Sequence, residues 1–176
     1  NYPYGKLYPG YKQSLINKEK TSSDITILRV WSYISSERKN FFHRLINYIS
    51  FMISSFINYF LFSSEKPDLI YVYSPPIFLG ITATLFSKLY RVPYVIYIND
   101  LWPDSAISMG ILKNKIIIKL SLLIEQIAYK FAKYIFVYSP EMRYKLIHEK
   151  AIPKKKIKIQ PLFFDSISLV PKEPVL

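Results

Sequence analysis

The sequence has no cysteine, four glycines and two histidines. Without cysteine there is neither a disulfide framework nor a thiolate metal site. The glycines are Gly5, Gly10, Gly80 and Gly110, so neither G-x-G-x-x-G nor G-x-x-x-x-G-K-[ST] can be written. That excludes the glycine-rich phosphate cradles of dinucleotide-binding and P-loop proteins. No serine is flanked by glycines at the spacing of a nucleophile elbow. His43 and His148 stand far apart with no ligand spacing around them, and both read as solvated side chains. Neither a metal nor an organic cofactor is expected.

Acidic residues are also scarce, with 12 Asp+Glu against 24 Lys+Arg and a net charge of +12. Such a balance describes partners and not fold. It suits nucleic acid, an anionic membrane face or a phosphorylated substrate. The basic residues gather at 113–119, 130–133 and 154–158. The last run lacks interleaved aromatics and no nucleic-acid-binding motif is visible, so nucleic acid is set aside. An anionic membrane surface remains as the partner, beside the plain reading of a solvated surface.

What is present is one domain's worth of chain: 176 residues, 51% of them hydrophobic. Residues 1–24 are rich in Pro, Gly, Ser and Lys and read as loop. Their start, Asn1-Tyr2-Pro3-Tyr4-Gly5, is neither an initiator sequence nor a signal peptide, as though the chain opened inside a loop. Residues 25–31 alternate and are β-rich, which predicts a strand.

A long apolar stretch runs from Phe41 to Phe62, and no residue from Leu45 to Ser64 is charged. That is about the length of a membrane span. However, His43, Asn47, Ser50, Ser54 and Asn58 are spaced 4, 3, 4 and 4 apart. On a helix they form one narrow polar stripe, which predicts a crossover helix packed on a sheet. A helix lying in a membrane interface is the second reading, and a true span the third.

Downstream, short apolar runs at 69–73, 94–98 and 134–138 predict buried parallel strands, with a last short one at 157–159. Helices are expected over 77–90, 115–133 and 140–150, with one helical turn at 105–109. On the 115–133 helix, Ile116, Leu120, Ile124, Ile127 and Phe131 share an apolar face opposite a lysine-rich one. Strands alternating with helices predict an α/β fold, a Rossmann-like parallel sheet with helices on both faces.

Ligands of such sheets sit outside the carboxyl ends of the strands. Three predicted strand ends carry polar residues: Ser74-Pro75-Pro76, Asn99-Asp100-Leu101-Trp102-Pro103-Asp104 and Ser139-Pro140-Glu141. The middle block combines two carboxylates, an indole and a proline. Aromatic faces suit the CH faces of a sugar, and carboxylates accept from its hydroxyls. The structural alternative makes Asp104 the N-cap of the following turn, Trp102 a core residue, and Ser74 and Ser139 simple helix starts.

These blocks resemble family 4 of the retaining, GT-B glycosyltransferases. Lys66-Pro67-Asp68 precedes the strand that ends in Ser74-Pro75-Pro76, and the next strand runs into Asp100-Leu101-Trp102-Pro103-Asp104. The nearest subgroup is that of the L-fucosamine-transferase-like enzymes of O-antigen and capsule synthesis. Asn1-Tyr2-Pro3, Gly5, Arg29-Val30-Trp31, Asn47-Tyr48, Ser139-Pro140 with Met142, and Pro161 with Asp165 fit it in register. Asn99 stands where the subgroup usually has Arg, and Leu162 where its hinge usually has Asn.

The resemblance implies that residues 1–160 are a partial N-terminal, acceptor-side domain and that 161–176 begin an interdomain linker. It implies transfer of a sugar from a nucleotide-sugar to a lipid-linked or polysaccharide acceptor, in the cytoplasm at the inner face of the cell membrane. Asp100, Asn99, Trp102, Tyr2, Ser74 and Ser139 are the expected acceptor-side residues. No donor-binding residue is expected in this chain, because the family holds the nucleotide-sugar in a second domain. The chain alone is therefore not expected to catalyse transfer, and without the family's first βαβ unit its sheet is expected to have an unpaired edge. Two rival expectations are an inactive truncated remnant and a membrane-associated interaction protein.

Overall fold

The computed structural model describes residues 14–21, 25–35, 41–62 and 66–161. A hairpin comes first: β1 (Ile16–Lys20) pairs antiparallel with β2 (Thr26–Val30) as a separate two-stranded sheet. This corrects the expectation of loop through residue 24, and it takes β2 out of the parallel sheet. Asn17, Lys18, Glu19 and Lys20 hide the strand because a solvated hairpin has no need of apolar residues. The bidentate pair of Arg29 with Glu19, at 3.1 and 3.3 Å, joins the two strands instead.

The main sheet is parallel, with strand order β3 (Ile70–Ser74), β4 (Tyr94–Ile98), β5 (Tyr134–Val137), β6 (Ile157–Ile159). Every residue of β4 is buried, as its unbroken apolar run Tyr-Val-Ile-Tyr-Ile requires. Among the described residues β3 pairs with β4 alone, and its Tyr71 and Tyr73 stand half-exposed. The crossovers are α2 (Leu79–Tyr90), α3 (Asp104–Ser108) with α4 (Lys115–Phe131), and α5 (Pro140–His148). The molecule is therefore an α/β, Rossmann-like fold with a parallel sheet flanked by helices.

The predicted long helix is α1 (Phe41–Phe62). Phe56 stacks on Phe86 of α2 with ring centroids 4.9 Å apart, and Tyr59 meets the same ring tilted at 4.6 Å. Its polar stripe is not left to water. The Tyr33 backbone N–H donates to Ser50 Oγ at 2.8 Å, the Asn47 amide donates to the Tyr33 carbonyl, and the Tyr33 hydroxyl lies 2.9 Å from His43 Nδ1. His43 is thus half-buried and bonded, not solvated, because the segment after β2 lies along that stripe. Besides Arg44, an apolar row of Phe42, Ile46, Ile53, Ile57 and Phe60 meets solvent. Among the described residues no helix is long and apolar enough to cross a membrane.

The faces of α4 also differ from expectation. Ile116, Leu120 and Phe131 are exposed and only Ile124 of the expected face packs against the core cluster, whereas Ser121, Glu125, Ala128 and Tyr129 are buried. Two features select the small, polar face. Gly80 of α2 lets the helices close against Ala128, and Lys150 reaches in to Glu125 at 2.8 Å. The lysine run at 154–158 is partly structural as well. Lys156 Nζ donates to the carbonyls of Tyr129 and Lys130 at 2.9 and 2.8 Å, closing the C-terminus of α4.

Candidate functional site

Parallel pairing fixes where the strand ends lie. Ser74 is in register with Ile98, and Ile98 with Val137. The segments that follow, Pro75-Pro76, Asn99-Asp100 and Tyr138-Ser139, therefore emerge along one edge of the sheet. The Asn99 N–H donates to the Ser74 carbonyl at 3.0 Å, which carries the β3–β4 ladder one step past the strands.

Beyond that edge lies a cleft of about 120 Å³. Arg44, Leu45 and Tyr48 of α1 form one wall, and the Pro75–Phe78 segment forms the floor. Asp100, Trp102, Ser105, Met109 and Ile111 close the other side. Two of the predicted residues are thus brought together, Asp100 and Trp102. The Asp100 carboxylate is exposed and accepts from the Ser105 hydroxyl at 2.9 Å. Its remaining lone pairs face outward, available to hydroxyl donors. Trp102 is half-buried and packs on Phe78 with ring centroids 5.4 Å apart, so it is core and cleft wall at once.

The other predicted residues are placed differently. Asn99 does not line the cleft: its amide donates to the Tyr73 hydroxyl, and its Oδ1 is buried with no hydrogen-bond partner among the described residues. Ser74 is 1% exposed, beneath the cleft floor. Ser139 caps α5, accepting from the Met142 N–H at 3.3 Å. The Glu141 carboxyl is held below its ordinary range by its own backbone N–H and by the Ser139 hydroxyl. Tyr2 lies outside the described residues.

Asp104 does not cap α3, correcting the structural alternative. It occupies the helix's first position, after Pro103, and its carboxylate holds Lys150 at 2.8 Å. The same ammonium binds Glu125, so one cation ties the cleft lip to α4. Burial pushes the Lys150 pKa down, but the hydrogen bonds and charges of Asp104 and Glu125 outweigh it and hold the group above its ordinary value.

The sequence reading missed the α1 wall. Arg44 is the last charged residue before the uncharged stretch, and that position at the stretch's boundary was its one available signal. Met109 and Ile111 sit around Gly110, whose φ of +66° turns the chain out of α3 and leaves both side chains at the surface. Chemically the cleft offers an apolar floor, two aromatic walls, one guanidinium and one free-faced carboxylate. Among the described residues no group of three metal-binding side chains gathers anywhere.

Residues 7–166 match the family model described as Glycosyltransferase Family 4. No curated protein matches the chain.

Proposed function

The chain belongs to glycosyltransferase family 4, whose business is glycosyl transfer between a sugar donor and an acceptor, and from that premise we propose that the cleft at the carboxyl ends of β3 and β4 is its acceptor site. In this reading a nucleotide-sugar is presented from a second domain across a linker that starts at residue 161. The sugar passes with retention of configuration to a lipid-linked or polysaccharide acceptor of cell-surface glycan synthesis. The observation that supports it is the meeting of Asp100 and Trp102 in one cleft. The indole offers a flat face to a sugar ring, and the carboxylate accepts from its hydroxyls. Asn99 acts from behind, holding Tyr73 through its amide.

The test is Asp100→Ala in the complete enzyme, assayed by transfer of labelled sugar. Loss of one charged acceptor bond predicts a fall in kcat/KM of about tenfold to a hundredfold, at roughly 1.5–3 kcal/mol. The KM for the donor should stay unchanged. Full activity in the variant would remove Asp100 from the acceptor site and the reading with it.

We place the enzyme at the inner face of the cell membrane, peripherally. Two features support this: the apolar row on α1 from Phe42 to Phe60, and the net charge of +12. The protein is expected to sediment with anionic phospholipid vesicles at low salt and to be released substantially at 0.5 M salt, where the Debye length shrinks below about 5 Å. Ile57→Asp should weaken vesicle binding severalfold by placing a charge in the row. Absence of vesicle binding at low salt would rule the location out.

A further inference from the structure

The far edge of the sheet carries a second concavity. A groove of about 520 Å³ is lined by Arg143 of α5, by Lys154 and Lys155 of the turn before β6, and by Ile157, Lys158 and Ile159 of β6. Among the described residues β6 pairs with β5 alone. It lies at the opposite end of the sheet from β3 and from the α2 crossover on which α1 packs.

Two observations set this edge apart from plain solvated surface. The first is backbone direction. The Gln160 N–H donates to the Val137 carbonyl at 2.8 Å, so the backbone groups of Lys158 and Gln160 turn towards β5. Alternation along the strand then turns the N–H and C=O of Ile159, and the C=O of Ile157, outward. The second is charge. Of the half-buried Lys and Arg among the described residues, Arg29 pairs with Glu19, Lys150 with Asp104 and Glu125, and Lys156 with the carbonyls that end α4. Arg143 differs: its Nε is buried with no acceptor among the described residues. Lys154, Lys155 and Lys158 are exposed around it, and the lining holds no acidic side chain. A guanidinium taken out of water and left unpaired costs stability, and an arriving oxyanion offsets that cost.

Backbone and charge together restrict the ligand. A free phosphate meets the cations and leaves the strand edge to water. A neutral strand pairs with the edge and leaves the cations unmatched. A second copy of this chain brings a net charge of +12 to a lysine-flanked edge, which is how lysine bars an edge from self-pairing. A single-stranded nucleic acid finds no aromatic ring in the lining to stack on. An extended, acidic segment of a partner protein satisfies both the edge and its cations. We propose that the outer edge of β6 docks such a segment as an added strand, its carboxylates meeting Arg143, Lys154 and Lys155. This goes beyond the acceptor reading and does not depend on it, since no residue lines both the groove and the cleft.

The probe is a capped heptapeptide alternating glutamate and valine, labelled with a neutral fluorophore and titrated into the complete enzyme at low salt, with anisotropy as the readout. Its glutamine counterpart keeps the strand and loses the charge, and is expected to bind about tenfold more weakly. A counterpart with every backbone N–H methylated keeps the charge and cannot pair as a strand, and the same weakening of about tenfold is expected. Lys155→Glu should weaken the glutamate peptide about tenfold, and Arg143→Gln about fivefold. If Arg143→Gln loses its native circular dichroism, the exposed Lys155 carries the test. On binding, hydrogen exchange of the Ile159 amide should slow about tenfold, while that of Gln160, already bonded to β5, stays unchanged.

Unchanged binding in whichever variant folds overturns the proposal. Equal binding of the methylated peptide, or an Ile159 amide that exchanges as before, also overturns it, because the groove would then be an anion surface and not a strand site. Displacement of the peptide by phosphatidylglycerol vesicles would assign the groove to lipid, with the same consequence.

Discussion

Replacing Lys150 by Met is expected to lower folding stability by about 3 kcal/mol at neutral pH. Lys150 follows α5, and its ammonium lies 2.8 Å from Glu125 Oε2 on α4 and 2.8 Å from Asp104 on α3. Glu125 is 1% exposed, and its other oxygen has no partner among the described residues. Methionine keeps most of the stem's volume and removes the charge, leaving a buried carboxylate with no cation. Breaking one partner of such a pair typically costs about 3–5 kcal/mol. The lower end applies here, because the Asp104 side chain is 37% exposed and can rehydrate.

The deficit should depend on pH, with a definite sign. In the native protein burial raises the Glu125 pKa, the Lys150 hydrogen bond and charge lower it, and the Asp104 charge raises it, for a net rise. Removing Lys150 takes away its two lowering contributions and leaves only the smaller one of the Tyr129 hydroxyl, so the carboxyl rises further. A group whose folded pKa is raised favours the fold below its unfolded value, about 4.3, and that contribution is lost as pH climbs through the folded value. The variant's deficit is therefore smallest near pH 4.5, with Glu125 protonated, and grows towards pH 7.5. Urea denaturation at the two pH values measures it. A deficit that is the same at both would show that Glu125 is not the group left stranded. Adding Glu125→Leu should restore much of the loss, since an apolar pair of similar volume needs no cation. The consequence reaches the cleft, because Asp104 lies two residues after Trp102 and anchors the lip that Trp102 and Ser105 belong to.

That network also marks where sequence reasoning stopped. Hydrophobic period identified β3 to β6 and α1, α2, α4 and α5 within a residue or two, because buried parallel strands and long helices leave unbroken signals. It failed at β1, whose Lys-Glu-Lys pattern is what a solvated hairpin permits. It also misjudged which face of α4 is inside. Counting apolar side chains favoured Ile116, Leu120 and Phe131, yet two partners remote in sequence, Gly80 and Lys150, decided the matter. The polar stripe of α1 points to a packed helix, but the sequence suggests that the stripe faces solvent, whereas Tyr33, ten residues before His43 with no pattern of its own, lies against it. The site followed the same division. Asp100 and Trp102 were legible because they follow a strand end directly. Arg44 and Met109 reach the cleft only because α1 and the α3 segment both border the Pro75–Phe78 segment, which no local spacing encodes.

Gly80→Ala is the second large effect expected, a loss of about 2–3 kcal/mol. A Cβ at position 80 would lie 2.3 Å from Ala128 Cβ and 3.2 Å from Ala128 Cα. The first contact is far inside van der Waals distance, and the second is with backbone, so no rotamer change can relieve them. Helix propensity opposes the penalty only weakly, since Gly80 is the second residue of α2 and the preference of about 1 kcal/mol for Ala over Gly belongs to helix interiors. The contact penalty wins because α4 cannot retreat freely. Tyr94, fully buried in β4, donates from its hydroxyl to the Ala128 carbonyl at 2.6 Å, and the same hydroxyl lies 3.0 Å from Thr84 Oγ1 on α2. Burial pushes the Tyr94 pKa up to about 12, with the Thr84 hydrogen bond opposing, so the phenol stays protonated and its bond intact at neutral pH. Separating the helices enough for a methyl group would stretch that bond and lift Ala128 from the core. The discriminating measurement is a double-mutant cycle with Ala128→Gly, which removes the 2.3 Å contact while leaving the helix–helix register. A favourable coupling of at least 1 kcal/mol is expected by urea denaturation, because residues in direct contact do not add independently. Strict additivity would mean that the two helices do not meet at Gly80 in solution. The face of α4 assigned here, and with it the burial of Glu125 one turn away, would then have to be redrawn.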